Sequence, residues 1–198
     1  MRKKEMHPDP LRQFEKWFEE ALASGDVLPE AMSLATVSHE GVPSVRMVLF
    51  KGIRQGGLEF FTNFESRKGR EIDANPLAAV LFWWEQLRRQ VRFVGHVRKE
   101  DAARSDEYFR TRSRGSQIGA WASRQSEVIS SREELEQRAD FFEEKYRGRD
   151  IPRPPYWGGF RLIPHSVEFW EERPDRLHDR LSYRRAGNED WIIERLAP

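Results

Sequence analysis

Behind the pair Asp9-Pro10, apolar side chains recur at Leu11, Phe14, Trp17, Phe18, Ala21 and Leu22, the spacing of a helix with one buried face. Asp9 suits the N-cap, Pro10 the first turn and Gly25 the stop. The pattern then shortens to β-rich runs at 33–38, 44–51, 58–62, 78–84 and 90–99. Glu40-Gly41, Gln55-Gly56-Gly57, Asn75-Pro76 and Glu85-Gln86 separate them and carry turn chemistry. Short helices are expected over 66–75 and 100–110. A further helix opens at Ser131, with Glu134 spaced for a capping box and Leu135, Ala139, Phe142 and Tyr146 as its buried stripe. Residues 147–155 read as a polar connector. Strands return at 157–163, 166–171, 181–185 and 191–196, the last two joined through Ala186-Gly187-Asn188. Many short strands with few helices between them predict a mainly β fold, an antiparallel barrel with peripheral α-helices. A single domain over residues 1–198 suffices, with residues 1–8 expected to be flexible.

Composition narrows the function classes. Seven Trp and 13 Phe argue for a packed core in spite of 34% charged residues. Lys and Arg number 34 against 33 Asp and Glu, so no global basic field exists to hold nucleic acid. Any anion must be held by local clusters. Cysteine is absent, which removes disulfides, thiolate metal sites and cysteine nucleophiles together, and no metal site is expected. Met1-Arg2-Lys3-Lys4 leads into Glu5, His7 and Asp9 instead of an apolar core. Neither an export signal nor a membrane span is therefore predicted, and the chain reads as cytoplasmic.

Three cationic runs carry candidate chemistry. Arg46-Met47-Val48-Leu49-Phe50-Lys51 begins and ends with a cation on an apolar strand, and a regular strand would put the two on opposite faces. Ser66-Arg67-Lys68 opens a predicted helix, where free backbone N–H groups and the dipole favour an anion. In Val167-Glu168-Phe169-Trp170-Glu171-Glu172-Arg173-Pro174-Asp175-Arg176-Leu177-His178-Asp179-Arg180, an extended 176–180 would place Arg176, His178 and Arg180 on one face. Two cations, an imidazole and an indole suit a flat, anionic, aromatic ligand. Spacing alone favours a solvated edge strand there, and plain surface charge at Ser66-Arg67-Lys68. Tyr108, Arg112 and Ser116 recur at steps of four, with Gly115 interrupting the helix before Ser116. Trp83-Trp84 read as core.

The 167–180 segment closely resembles the C-terminal signature of the pyridoxine/pyridoxamine 5′-phosphate oxidases, with Glu171 where that family more often has glutamine. The runs 46–51 and 66–68 match the family in order and spacing, and Ser116-Gln117-Ile118-Gly119-Ala120-Trp121 is close to its wording. The resemblance extends from about Asp9 to Pro198. It implies an FMN-binding split β-barrel, antiparallel and Greek-key-like, whose C-terminal strands (156–198) carry the signature. It also implies FMN at the interface of a homodimer.

By the same resemblance, Arg46, Met47, Val48, Leu49, Lys51, Phe61, Thr62, Arg67, Lys68, Gln90, Gln125, Ser126, Trp170 and Arg180 would surround FMN. Lys51, Tyr108, Arg112 and Ser116 would clamp the substrate phosphate, and Arg176 and His178 would face the reacting ring as the catalytic pair. Phe61-Thr62 stands where the family usually has Tyr-Thr, so a hydroxyl is lost. The N-terminal segment that folds over the site in longer members would be shortened. The implied activity is oxidation of pyridoxamine and pyridoxine 5′-phosphate by O2, releasing H2O2. A split-barrel flavin oxidase of the phenazine-biosynthesis type, or a non-catalytic carrier of flavin or pyridoxal phosphate, are the alternatives.

Overall fold

The computed structural model describes residues 1–187 and 190–198. Asp9 caps α1 (Pro10–Ala23) by accepting a hydrogen bond from Leu11 N, Pro10 occupies the first turn, and Gly25 follows at φ 85°. The chain continues through β1 (Ala31–Val37), β2 (Pro43–Leu49), β3 (Ile53–Arg54), β4 (Gly57–Asn63), α2 (Arg67–Ala74), β5 (Leu77–Trp84) and β6 (Arg89–Lys99). Helices α3 (Ala102–Thr111), α4 (Arg114–Ala122) and α5 (Arg132–Lys145) precede β7 (Trp157–Glu171), β8 (Asp179–Ala186) and β9 (Asp190–Arg195).

All strand pairings are antiparallel, in the order β2-β1-β5-β6-β7-β4-β3, with β8 and β9 branching from β7. Two predicted strands are one here: β7 runs unbroken, sharing one edge with β6 along its length. Its other edge takes β4 at residues 157–162 and β8 at 166–171. A register shift at Val94/Gly95 absorbs the irregularity where Pro164 lies. Gly95 suits that place, because a Cβ there would sit 2.1 Å from Ile163 O. The ladder does not close, but Lys51 N donates to Glu59 O and Glu59 N to Gly52 O, drawing the end of β2 onto β4. The result is a split barrel with an open seam.

The apolar face of α1 plugs this barrel. Phe14 is fully buried, with its ring 4.9–5.4 Å from those of Phe50, Phe82 and Phe93. Truncating such a ring typically costs about 3–5 kcal/mol. Trp84 is buried with Nε1 donating to Pro29 O, whereas Trp83 faces outward, 47% exposed. The pair is therefore not core as a unit: alternation along β5 sends one indole to each face. The stripe on α5 is only half-buried, against a smaller cluster around Phe109 and Trp157. Ser131 caps α5, but Glu134 answers Ser130 instead of closing a box on Ser131. Most of residues 1–8 are exposed, with Met1 and Met6 half-buried against the core. Tyr183 OH donates to His7 O, and the Met1 ammonium lies 2.5 Å from Asp179 and 3.5 Å from Glu171. Gly187 sits at φ 72° after β8, while Asn188 of the expected turn lies outside the described residues.

Candidate functional site

Ser66 caps α2 by accepting from Gly69 N at 3.3 Å, which turns the Lys68 side chain into the protein. Gly69 permits the tight entry, since a Cβ there would meet Phe64 O at 2.0 Å. Lys68 is 8% exposed and donates to Gln125 Oε1 (2.7 Å), Ser66 Oγ (3.0 Å) and Thr62 Oγ1 (3.2 Å). All three acceptors are neutral. Burial and the nearby Arg46 charge, partly offset by Glu71, push its ammonium down to about 8.

Lys68 lines a cavity of about 610 Å³ together with Lys51 and Arg112. No Asp or Glu is among the lining residues. Neutral donors surround the cations: Thr62, Asn63, Tyr108, Ser113, Ser116, Ser123 and Gln125. Met47, Val48 and Leu49 form one wall, and Phe61 and Trp157 another. Phe61 stacks on Tyr108 at 3.9 Å between centroids, and Tyr108 lies within 5° of parallel to Trp157. The Phe61 ring thus fills a slab of aromatic rings. Arg112 lays its guanidinium 4.5 Å from the Trp157 ring centre, and its buried Nη1 has no hydrogen-bond partner. Burial lowers its pKa.

Tyr108, Arg112 and Ser116 reach this cavity in a way their spacing did not predict. The helix breaks at Arg112, whose ψ is 148°, and not beyond Arg114. Ser113 then caps α4, accepting from Ser116 N at 3.3 Å and hydrogen-bonding Ser116 Oγ at 2.9 Å. The three residues converge from a corner between two helices. Lys51 likewise reaches the cavity from beyond the end of β2.

Arg46, Arg67 and Ser126 lie beside the cavity without lining it. Arg46 and Arg67 both donate to Glu71, at 3.1 and 2.8 Å, and Thr36 and Ser44 hydroxyls complete its shell at 2.5 and 2.6 Å. Glu71 is 6% exposed. Burial raises its pKa, but these four donors outweigh it and hold the carboxyl at about 2. Ser126 Oγ accepts from Arg67 N at 3.1 Å, with Ser126 itself at φ 77°.

The remaining predicted residues gather elsewhere. Trp170 on β7 pairs with Gln90 on one side and Arg180 on the other, and its ring lies 4.6 Å from His178 and 6.1 Å from Trp83. Residues 176–180 are not one extended strand. Pro174–Arg176 forms a 3-10 turn, with Asp175 and Arg176 at φ 57° and 61°, so alternation across a strand does not set their faces. Arg176 is exposed, without a side-chain hydrogen bond or ion pair among the described residues. His178 Nδ1 accepts from Arg173 N at 3.2 Å. Arg180 is tied to Glu168 at 2.9 Å and to Ala197 O.

Two groups therefore exist within one chain. Trp157 lines the cavity and Trp170 anchors the second group, 13 positions further on (170 − 157) along β7, or about 40 Å of extended strand. Sequence reading missed Glu71 and the Arg104–Glu59 pair. Glu71, four residues after Arg67, was detectable by helical spacing. Glu59 is 2% exposed and receives both Arg104 Nε (3.0 Å) and Nη2 (2.7 Å), fastening α3, with Tyr108, onto β4, with Phe61. No local pattern announces that contact.

An antiparallel split barrel with a cation-lined, carboxylate-free cavity defines a protein that holds anionic ligands. The "Pyridoxamine 5'-phosphate oxidase" family model matches residues 18–146, and the "Pyridoxine 5'-phosphate oxidase C-terminal dimerisation region" model matches residues 157–198. The chain belongs to the pyridoxamine 5′-phosphate oxidase family of enzymes. It is 54% identical over 194 residues to a pyridoxine/pyridoxamine 5′-phosphate oxidase of Nostoc punctiforme, covering 98% of this chain and 91% of that one. It is 55% identical over 193 residues to one of Burkholderia multivorans, covering 96% and 90%. Among solved structures, PhzG from Burkholderia lata in complex with tetrahydrophenazine-1-carboxylic acid superposes with a TM-score of 0.92 at 34% identity, covering 97% and 94%. A pyridoxamine 5′-phosphate oxidase-related, FMN binding protein of Nostoc punctiforme shares the fold at a TM-score of 0.76 and 22% identity, covering 98% and 100%.

Proposed function

We propose that this protein is an FMN-dependent oxidase of pyridoxamine 5′-phosphate and pyridoxine 5′-phosphate, working in the cytoplasm as a homodimer. The observation that carries the reading is the cavity with Lys51, Lys68 and Arg112 and no carboxylate in its lining. The donor set fits a phosphorylated flavin and a phosphorylated substrate. Lys68 Nζ meets only neutral acceptors, and Arg112 holds a buried N–H without a partner, so each gains a counter-ion when a phosphate arrives.

In this reading Lys68, with Arg67, Arg46 and Ser126 behind it, holds the FMN phosphate. Lys51, Tyr108, Arg112 and Ser116 hold that of the substrate. Held by these residues, FMN would supply two-electron redox chemistry for oxidation of the substrate at C4′, with O2 reduced to H2O2 and, for the amine substrate, water consumed and ammonia released. Met47, Val48 and Leu49 flank the ring system. Gln90, Trp170 and Arg180, with Arg176 and His178, contribute from the C-terminal group of the second copy. The separation of the two groups along β7 and the match to a dimerisation region support that division.

His178 orients substrate as a donor. Its Nδ1 accepts from Arg173 N, so the neutral ring carries its proton on Nε2 and presents an N–H. The likeness to PhzG raises a phenazine-type substrate as the rival. Lys51 and Arg112 favour a phosphorylated one, because a phosphate dianion can compensate both cations, whereas a phenazine carboxylate carries a single charge.

Oxygen consumption with pyridoxamine 5′-phosphate against unphosphorylated pyridoxamine tests substrate and chemistry together. Wild type should prefer the phosphorylated form strongly. Arg112→Ala should lose much of that preference by raising KM, and His178→Ala should keep it while losing kcat. Mixing the two variants tests the shared site: a random mixture of dimers should recover about a quarter of wild-type turnover at low substrate, one intact site in half the dimers. No recovery after subunit exchange refutes the two-chain site.

A further inference from the structure

The turn between Glu171 and Asp179 carries Arg176 and His178, and its residues 172–177 are all exposed. Asp175 and Arg176 both sit at positive φ, 57° and 61°, a region that side chains rarely adopt. Neither packing nor backbone preference therefore holds the turn in shape. Arg173 does. Glu171 and Asp179 are cross-strand partners at the mouth of the turn, and Arg173 bridges them, with Nη2 2.6 Å from Glu171 and Nε 2.8 Å from Asp179. An exposed ion pair contributes little by itself. Here both carboxylates are largely buried, 15% and 18% exposed, and one planar fork engages them at once. The backbone N–H of the same residue donates to His178 Nδ1 at 3.2 Å, while the Trp170 ring lies 4.6 Å from the imidazole.

We propose that Arg173 is the positioning residue of His178: its side chain locks the two ends of the turn together, and its backbone N–H then holds the imidazole with Nε2–H free to meet the substrate. The side chain acts through its own backbone, by fixing where that amide points. Without the fork the amide and the imidazole separate, and an imidazole released from its donor exchanges between its two tautomers. Each carboxylate keeps another cation when Arg173 is lost: Arg89 Nε lies 2.8 Å from Glu171 and Arg195 Nη1 2.6 Å from Asp179. Removing the fork therefore loosens the turn without leaving a carboxylate unpaired. The effect on turnover rests on the function proposed above; the hold on the imidazole does not.

The imidazole can be read directly by NMR. In protein labelled with 15N-histidine, saturated with FMN and held at about pH 8.5, an ordinary imidazole is neutral, and the His178 signals are those that vanish in His178→Gln. Wild type should show a single tautomer, with Nδ1 bare and Nε2 protonated. Arg173→Met, which keeps the stem and loses the fork, should move both shifts toward the averaged values of a free histidine side chain. Arg173→Lys cannot span both carboxylates and should follow Arg173→Met. In turnover with pyridoxamine 5′-phosphate, Arg173→Met should lower kcat about ten-fold and keep the preference for the phosphorylated substrate. The same change made in His178→Ala should cost little more. Unmoved shifts in Arg173→Met, with or without a lower melting temperature, reduce the ion pairs to a structural tie and overturn the proposal. Wild-type shifts in Arg173→Lys overturn the bridging fork. Equal losses of kcat in both backgrounds, or no loss in either, overturn the action through His178. Moved shifts in a protein whose wild type lacks oxidase activity would sustain the hold on the imidazole and defeat the proposed function.

Discussion

Replacing Lys68 with methionine isolates the electrostatic core of the cofactor assignment. The side chain is buried among Thr62, Ser66 and Gln125, and its ammonium titrates at about 8 instead of 10.5. That displacement corresponds to roughly 3 kcal/mol by which burial disfavours the charge in the ligand-free protein. A phosphate dianion in the cavity removes the penalty by supplying the counter-ion. Lys68→Met keeps the stem and deletes the charge, and losing a desolvated contact of this kind weakens binding by about 2–5 kcal/mol, or about 30- to several thousand-fold. Quenching of FMN fluorescence on titration with protein measures it directly.

The pH profile gives a sharper signature. The second ionisation of a phosphate near 6 sets the acid limb, so wild-type affinity should be level from about 7 to 8. Above 8, free Lys68 is neutral and binding must take up a proton, so affinity should fall toward ten-fold per pH unit until the pKa in the complex is reached. Stability of the ligand-free protein should move the other way. The folded pKa lies below the unfolded one, so the unfolded chain holds more protons between 8 and 10.5 and stability rises with pH there. An affinity for FMN within three-fold of wild type in Lys68→Met, or a wild-type profile flat from 7.5 to 9.5, would refute the assignment of this lysine to the cofactor phosphate.

Four further outcomes are expected. Glu71→Gln should remove the acid-sensitive part of stability: the folded carboxyl titrates at about 2 against 4.5, so its contribution is present above 4.5 and lost as pH falls toward 2, and urea denaturation at pH 7 and pH 3 should show a smaller difference in the variant. Arg104→Ala leaves Glu59 buried without its partner and should destabilise by about 3–5 kcal/mol in urea. In Arg104→Lys, a rise in KM for the phosphorylated substrate should exceed any fall in kcat, because α3 carries Tyr108 and leads into Arg112. Val45→Glu with Met47→Glu charges the exposed apolar face of the edge strand β2, where the two side chains are 70% and 60% exposed; sedimentation at micromolar concentration should shift from dimer to monomer if that stripe is covered by a second copy.

Periodicity determined much of this protein without help from any contact. The α1 face from Leu11 to Ala21, the cap at Asp9 and the β runs up to residue 99 follow from local spacing, since side-chain direction in helices and strands is set by the backbone, although Leu22, expected on that face, is 58% exposed. The wording of the cationic runs pointed to a phosphate-holding flavin enzyme before any geometry was known. Tertiary structure decided what local rules cannot reach. Period-four spacing suggested one helix face for Tyr108, Arg112 and Ser116, but Ser113 starts a second helix and the three meet at a corner. Period-two spacing suggested one strand face for Arg176, His178 and Arg180, but Pro174 and two left-handed residues turn the chain first. Lys51, Lys68 and Arg112 are far apart in sequence, and only the closing of β2 onto β4 and the Glu59–Arg104 tie bring them around one cavity. Local patterns record which face a residue takes; which faces meet is settled by long-range pairing, and so the charge balance of the cavity could be read only from the fold.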